Sequence, residues 1–203
     1  MKQPKTFKIL AAADIHGSSE LAQKLSEKAK KNKVDLVVLA GDIHGALDSE
    51  NIIKPFKKNN QKLVFIPGNW DSTLEAELLS SVYNIKNIDG RYVIYDGIGI
   101  IGIGNPDMKF SLDEKRISKD ISKNFELLKS KTRKKVLVSH LHAEGTKAEF
   151  SGIRGDRILK KAIDYFHPDI LISAHIHEAE GIEEKIGKTR VIQVGREGKI
   201  IEL

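Results

Sequence analysis

Five short segments of this chain are apolar almost without a break: Phe7 to Ala13, Val34 to Ala40, Leu63 to Pro67, Val136 to Ser139 and Ile170 to Ala174. They are rich in Ile, Val and Leu and lack clean alternation, the pattern of strands buried on both faces. Around the first three runs the spacing turns helical. Ser18 precedes Leu21, Ala22, Leu25 and Ala29, Asp48 precedes Ile52, Ile53 and Phe56, and Ser72 with Glu75 has capping-box spacing. The resulting order is β-α-β-α-β-α, and such connections build a parallel sheet covered by helices.

The middle of the chain changes character. Tyr92 to Tyr95 and Ile98 to Ile103, separated by Asp96-Gly97, predict an antiparallel hairpin. A long helix is expected from Asp113 to Ser130, with Ser111 and Glu114 at its start and Ile117, Ile121, Phe125 and Leu128 as its buried stripe. Arg157 to Phe166 reads as a helix halted by His167-Pro168. Ile182 to Ile186, Thr189 to Val194 and Lys199 to Glu202 read as antiparallel strands joined by turns at Gly187-Lys188 and Glu197-Gly198. Two sheets packed face to face, with helices on both outer surfaces, use all of these elements. With no linker or repeat in view, residues 1–203 are expected to form a single domain.

The residues directly behind each buried run carry the chemistry. Asp14-Ile15-His16 stands behind the first, Gly41-Asp42 behind the second, Gly68-Asn69-Trp70-Asp71 behind the third, Ser139-His140 behind the fourth and His175-Ile176-His177 behind the fifth. In open α/β sheets ligands bind beyond the carboxyl ends of the strands, so these segments are expected to converge. Residues two apart on an extended backbone point the same way, so Asp14 with His16, and His175 with His177, can each flank one position. A lone Asp-x-His or Gly-Asp is usually only a turn or a helix cap. Five such pieces, each at a strand end, are a different matter, and they exceed what one ion needs. The set Asp14, His16, Asp42, Asn69, His140, His175 and His177 suits two divalent ions, with Mn favoured and Fe, Zn, Co or Ni also compatible with its mixed N/O donors. Glycines at 41 and 68 permit the sharp exits such a site needs.

Composition narrows the alternatives. The chain has no cysteine, so neither disulfides nor thiolate ligands are available and a zinc finger is excluded. A net charge of +6 favours anionic ligands such as phosphate esters. No apolar run approaches a membrane span, and no signal-peptide core is visible, so a cytoplasmic protein without a membrane partner is expected. The densest basic piece, Lys129 to Lys135, has no interleaved aromatics and reads as a solvated loop, which leaves nucleic acid a place only as substrate.

The order D-x-H, G-D, G-N-x-D, S-H and A-H-x-H, over nearly the whole chain, resembles the calcineurin-like metallophosphoesterase superfamily. Its length, and the segment from Gly155-Asp156-Arg157 to His177-Glu178, are similar to small archaeal and brain-type members that act on phosphodiesters. The resemblance implies a four-layer α/β/β/α sandwich of two mixed sheets with a binuclear metal centre at the strand C-terminal ends. It implies that Asp14, His16, Asp42 and His177 hold one ion and Asp42, Asn69, His140 and His175 the other, Asp42 bridging. A phosphodiesterase is expected, in which a metal-bridging hydroxide attacks phosphorus in line. The alternatives are a monoesterase or nuclease of the same chemistry, or a non-catalytic metal-binding scaffold of the same fold.

One residue departs from the family's pattern. Where a histidine commonly serves as proton donor to the leaving oxygen, this chain has Trp70, whose indole N–H donates a hydrogen bond but releases no proton near neutral pH. Asp71, which would orient that histidine, is left to cap the following helix. Asn69 can contact substrate as well as metal through its amide NH2. Trp70 reads either as a stacking platform or as a hydrophobic lid, and Arg154 as a further substrate contact. His142, two residues past His140, is a candidate catalytic relay, and His44 stands equally close to Asp42 in sequence.

Overall fold

A computed structural model describes residues 6–44 and 51–203. Each buried run is a strand: β1 (Lys8–Ala12), β2 (Leu36–Ala40) and β3 (Leu63–Ile66) in the first half of the chain. They alternate with α1 (Ser19–Lys31), α2 (Lys54–Lys58) and α3 (Thr73–Tyr83). Ser18 caps α1 by accepting from the Leu21 N–H, and Ser72 and Glu75 form the reciprocal capping box of α3. The expected helix start at Asp48 lies outside the described residues; the described helix begins at Lys54 and is short.

After α3 comes β4 (Lys86–Asn87), a two-residue strand with no sequence signature, and then the expected hairpin of β5 (Tyr92–Tyr95) and β6 (Ile98–Ile103). The long helix, α4 (Glu114–Lys129), starts three residues past Ser111. The Leu112 N–H is already taken there by the Asp156 carboxylate at 3.0 Å. The side chain of Ile117, part of the expected stripe, is outside the described residues, while Ile121, Phe125 and Leu128 are buried. Next come β7 (Lys134–Ser139), α5 (Arg157–Phe166), capped by Asp156, and β8 (Ile170–Ser173). The chain then forms β9 (Glu183–Ile186), β10 (Thr189–Gln193) and β11 (Lys199–Glu202).

The strands form two mixed sheets, ordered β11-β1-β2-β3-β4 and β5-β6-β7-β8-β10-β9. The C-terminal strands depart from a simple antiparallel run. Only β9 and β10 form a hairpin, β10 lies parallel to β8, and β11 crosses to the other sheet to pair antiparallel with β1. Its two isoleucines between Lys199 and Glu202 do not specify that distant partner.

Both faces of each sheet are covered. Ile9, Ala11, Val38 and Ile66 meet Ile100, Val136, Val138, Ile172 and Ile192 between the sheets. The intervening residues face outward: Leu10, Val37, Leu39 and Phe65 under α1, α2 and α3, and Ile101, Leu137 and Leu171 under α4 and α5. This is the α/β/β/α sandwich, and it explains why the strands lack alternation. Registers such as Ala40 beside Ile66 and Ile103 beside Ser139 bring parallel strands to a level finish, so the loops beyond them emerge side by side. Among the described residues no helix is long and apolar enough to cross a membrane.

Candidate metal centre

The loops leaving the strand ends share an unusual backbone. Asp14 (φ 56°), His16 (φ 45°), Asp42 (φ 51°) and His175 (φ 71°) all lie in the left-handed region, which costs a non-glycine residue roughly 1 kcal/mol or more. Four of the seven expected ligands thus carry strain, and strain of this kind gathers at functional sites. The two glycines make room. A Cβ at Gly41 would stand 2.6 Å from His140 Nδ1, and one at Gly68 would stand 2.2 Å from Asp42 Oδ1.

The side chains assemble into two groups, Asp14 with His16 and His177, and Asp42 with His140 and His175; within each group the ligand atoms lie within 4.8 Å of one another. Asp42 Oδ2 stands 3.2 Å from His140 Nε2 and 3.9 Å from His16 Nε2, so the Asp42 carboxylate faces both groups. Asn69 joins the second, its Oδ1 being 3.0 Å from His140 Nε2. His140 donates its Nδ1–H to the Ala40 carbonyl at 2.9 Å, which fixes the ring and presents Nε2 to the site.

Electrostatics suits a cation. Asp14 is buried, neither of its carboxylate oxygens has a hydrogen-bond partner, and its nearest imidazole nitrogen, His177 Nε2, is 3.5 Å from Oδ1. Burial pushes its carboxyl above the usual carboxylate range, against the pull of His140 and His177. A buried carboxylate without donors is costly unless a positive ion faces it. Burial also raises Asp42, but the hydrogen bond and charge of His140 and the Trp70 N–H, 2.9 Å from Oδ1, outweigh it and hold Asp42 low. Burial and the neighbouring His140 charge depress His175 to about 4, leaving a neutral imidazole at neutral pH. Neutral imidazoles and ionised carboxylates are the forms that bind divalent metals. Asp42 and His175 are held toward theirs, while Asp14, raised by burial, and His140, raised by Asp42 despite burial, would be brought to theirs by a cation. The donor set present fits two such ions.

The remaining expected residues fall in different places. Trp70 is 59% exposed, its ring edge-on to His16 at 6.2 Å. His142 is buried beside the second group; its Nε2 meets the Ile153 carbonyl at 3.2 Å, and its Nδ1 has no partner. Burial lowers its pKa. Arg154 is exposed and held by Glu144 through Nε at 2.9 Å, with no contact to either ligand group.

Asp71 does not cap α3; Ser72 does. The buried Asp71 carboxylate accepts instead from the backbone N–H groups of Ile43, His44 and Gly68 at 2.8–3.2 Å, and from His44 Nδ1 at 2.9 Å. It therefore ties the Asn69 loop to the Asp42 loop and orients a histidine after all, His44 rather than one at position 70. Sequence reasoning also missed Arg196, whose Nε donates to the Asp14 carbonyl at 3.0 Å, and Phe110, whose ring lies 6.3 Å from that of His175. Neither lies in a motif, so only the tertiary fold reveals them.

Comparison with known proteins agrees with this fold. The chain superposes on the crystal structure of TT1561 of Thermus thermophilus with a TM-score of 0.74 at 16% identity, covering 95% of this chain and 91% of that one. A dimetal phosphatase from Danio rerio gives a TM-score of 0.65 at 11% identity, over 94% and 88% of the two chains. An archaeal phosphodiesterase gives 0.55 at 18% identity, over 97% and 100%. At these identities the likeness is one of fold. No curated protein sequence matches significantly. The model of the calcineurin-like phosphoesterase family, however, matches residues 7–179, a span that holds both ligand groups. The chain belongs to the calcineurin-like phosphoesterase family.

Proposed function

We propose that this chain, read as one metallophosphoesterase domain over residues 1–203, is a phosphodiesterase that works with two divalent metal ions, manganese for preference. The observation that carries the reading is the Asp42 carboxylate standing between two ligand groups, one completed by Asp14, His16 and His177, the other by His140, His175 and Asn69. When bound, such ions supply Lewis acidity, polarising the ester and making nearby water more acidic.

The protein's own groups do the rest. Asp14 and Asp42 balance the cationic charge, and the Ala40 carbonyl holds His140 in one orientation. Asn69 Nδ2, buried without a hydrogen-bond partner, is available to donate to a phosphoryl oxygen. Trp70 offers no acid to a leaving group, and Asp71, which would orient one, is already filled by four donor groups. The site therefore suits esters whose leaving groups depart without a proton from position 70. Aryl diesters qualify on that ground, whereas nucleoside and other alkyl esters, whose leaving alkoxides are strongly basic, would qualify only where a bound ion took the alkoxide charge in place of a proton.

Purified protein with Mn2+ is expected to hydrolyse bis-p-nitrophenyl phosphate, and Asp42→Ala to fall below about one-hundredth of that rate, since even indirect support of a metal site is worth 10- to 100-fold. Metal-loaded protein with no turnover above blank, across pH and several divalent metals, refutes the enzyme and leaves a metal-binding scaffold.

A further inference from the structure

Two large aromatic side chains stand in solvent at opposite ends of the ligand cluster. Trp70, 59% exposed, leans on His16 of the first group, and Phe110, 64% exposed, leans on His175 of the second. Apolar side chains scattered singly on a surface are ordinary, but these two rings each lean on a histidine of the ligand cluster. The backbone that carries each ring is tied down. At Trp70 the backbone N–H donates to Asp42 Oδ1. The segment leading to Phe110 is stitched to the same loop: Met108 N–H donates to the Asn69 carbonyl and Asp107 N–H to the Asp71 carbonyl, both at 2.9 Å. The Asp107 carboxylate takes the Thr73 N–H at 3.0 Å and the Thr73 hydroxyl at 2.8 Å, and Asn105 Nδ2 donates to the Lys109 carbonyl at 2.7 Å. Asp107 (φ 65°) and Met108 (φ 57°) hold left-handed backbone to make this turn. Beyond Phe110, the Leu112 N–H is tied to Asp156. One frame thus carries both rings and Asn69.

We propose that Trp70 and Phe110 are paired stacking platforms, and that the diester this site takes carries a planar ring on each side of its phosphorus, as a single-stranded nucleic-acid linkage does. A base stacks on any aromatic face, so such platforms recognise the polymer without reading its sequence. Arg196 supports this choice over an aliphatic diester. Its Nε is anchored on the Asp14 carbonyl, in the ligand group that Trp70 leans on, which sets a guanidinium at that end of the cluster as a partner for a further phosphate. The net charge of +6 favours the same polyanion.

The inference rests on the phosphodiesterase reading for its chemistry, but its test is one of binding. Trp70 is the chain's only tryptophan, so intrinsic fluorescence reports on that ring alone. Full-length protein titrated with phosphorothioate-linked dithymidine is expected to show saturable quenching that ring-free dimethyl phosphate does not produce. Phe110→Ala should weaken the dissociation constant about tenfold, the scale of one base–aromatic stack, and Phe110→Tyr should restore it. Phe110 is exposed, so the variants are expected to keep the wild-type circular dichroism spectrum. Equal quenching by dimethyl phosphate, or an unchanged dissociation constant in Phe110→Ala, overturns the proposal. Turnover of bis-p-nitrophenyl phosphate without dinucleotide quenching sinks this inference alone, whereas quenching without turnover upholds the rings and sinks the phosphodiesterase.

Discussion

Replacing Asp71 by alanine tests how the site is held together. The carboxylate is 2% exposed and accepts from the backbone N–H groups of Ile43, His44 and Gly68 and from His44 Nδ1. Asp71→Ala strands four buried donors at once. Each orphaned group costs about 1–3 kcal/mol, and a water entering the space recovers part of that. A net loss of about 3–6 kcal/mol follows, a large share of the roughly 5–15 kcal/mol that holds a domain together. Asp71→Asn keeps the shape but sets an NH2 against a backbone N–H, so about half that loss is expected. Urea unfolding of the metal-free protein gives both values from midpoint and slope. Because Asp71 joins the Asp42 loop to the Asn69 loop, Mn2+ affinity should fall as well. Destabilisation below about 1 kcal/mol with unchanged Mn2+ affinity would refute the reasoning, since a tie worth so little cannot be holding two loops.

Three further perturbations have defined outcomes. Gly68→Ala sets a Cβ 2.2 Å from Asp42 Oδ1 and 2.4 Å from its backbone nitrogen, so Mn2+ binding by calorimetry should be lost along with stability. Gly145→Ala, which meets nothing within 4 Å, should cost only the roughly 1–2 kcal/mol of a left-handed residue. Ser72→Ala removes one half of the α3 capping box and should cost about 1 kcal/mol in thermal unfolding. In the metal-free protein His175 titrates near 4, below its ordinary 6.5. Between those values the unfolded chain holds a proton that the folded chain lacks. The His175 contribution to stability therefore rises with pH across that window and is level above it. His140, which Asp42 holds above its ordinary value despite burial, contributes stability that is lost as pH climbs further, and a series of urea midpoints would read both limbs.

The layers of this fold were legible because burial on both faces leaves a mark in sequence: Phe7 to Ala13 or Val34 to Ala40 can be little other than interior strands. The candidate ligands that the structure gathers into two groups were conspicuous for a related reason, each standing directly behind such a run. What escaped depended on contacts distant in sequence. Lys86–Asn87 has no pattern of its own and pairs only because β3 lies beside it. Lys199–Glu202 reads as a strand, yet nothing local says that it joins β1 across the molecule. Asp71 and Ser72 are both ordinary caps in sequence, and geometry alone decides that Ser72 caps while Asp71 turns inward to His44. The left-handed backbone at Asp14, His16, Asp42 and His175 is invisible for the same reason, because none of these residues prefers it as glycine does.

The two ligand groups make one demand above all others. Crystals of the protein grown with Mn2+ and measured at the manganese absorption edge should give two anomalous peaks per chain. One should lie among Asp14, His16 and His177, the other among His140, His175 and Asn69, with the Asp42 carboxylate between them. Two ions about 3.5–4 Å apart are the expected result. A single peak, or peaks away from these side chains, would contradict the account.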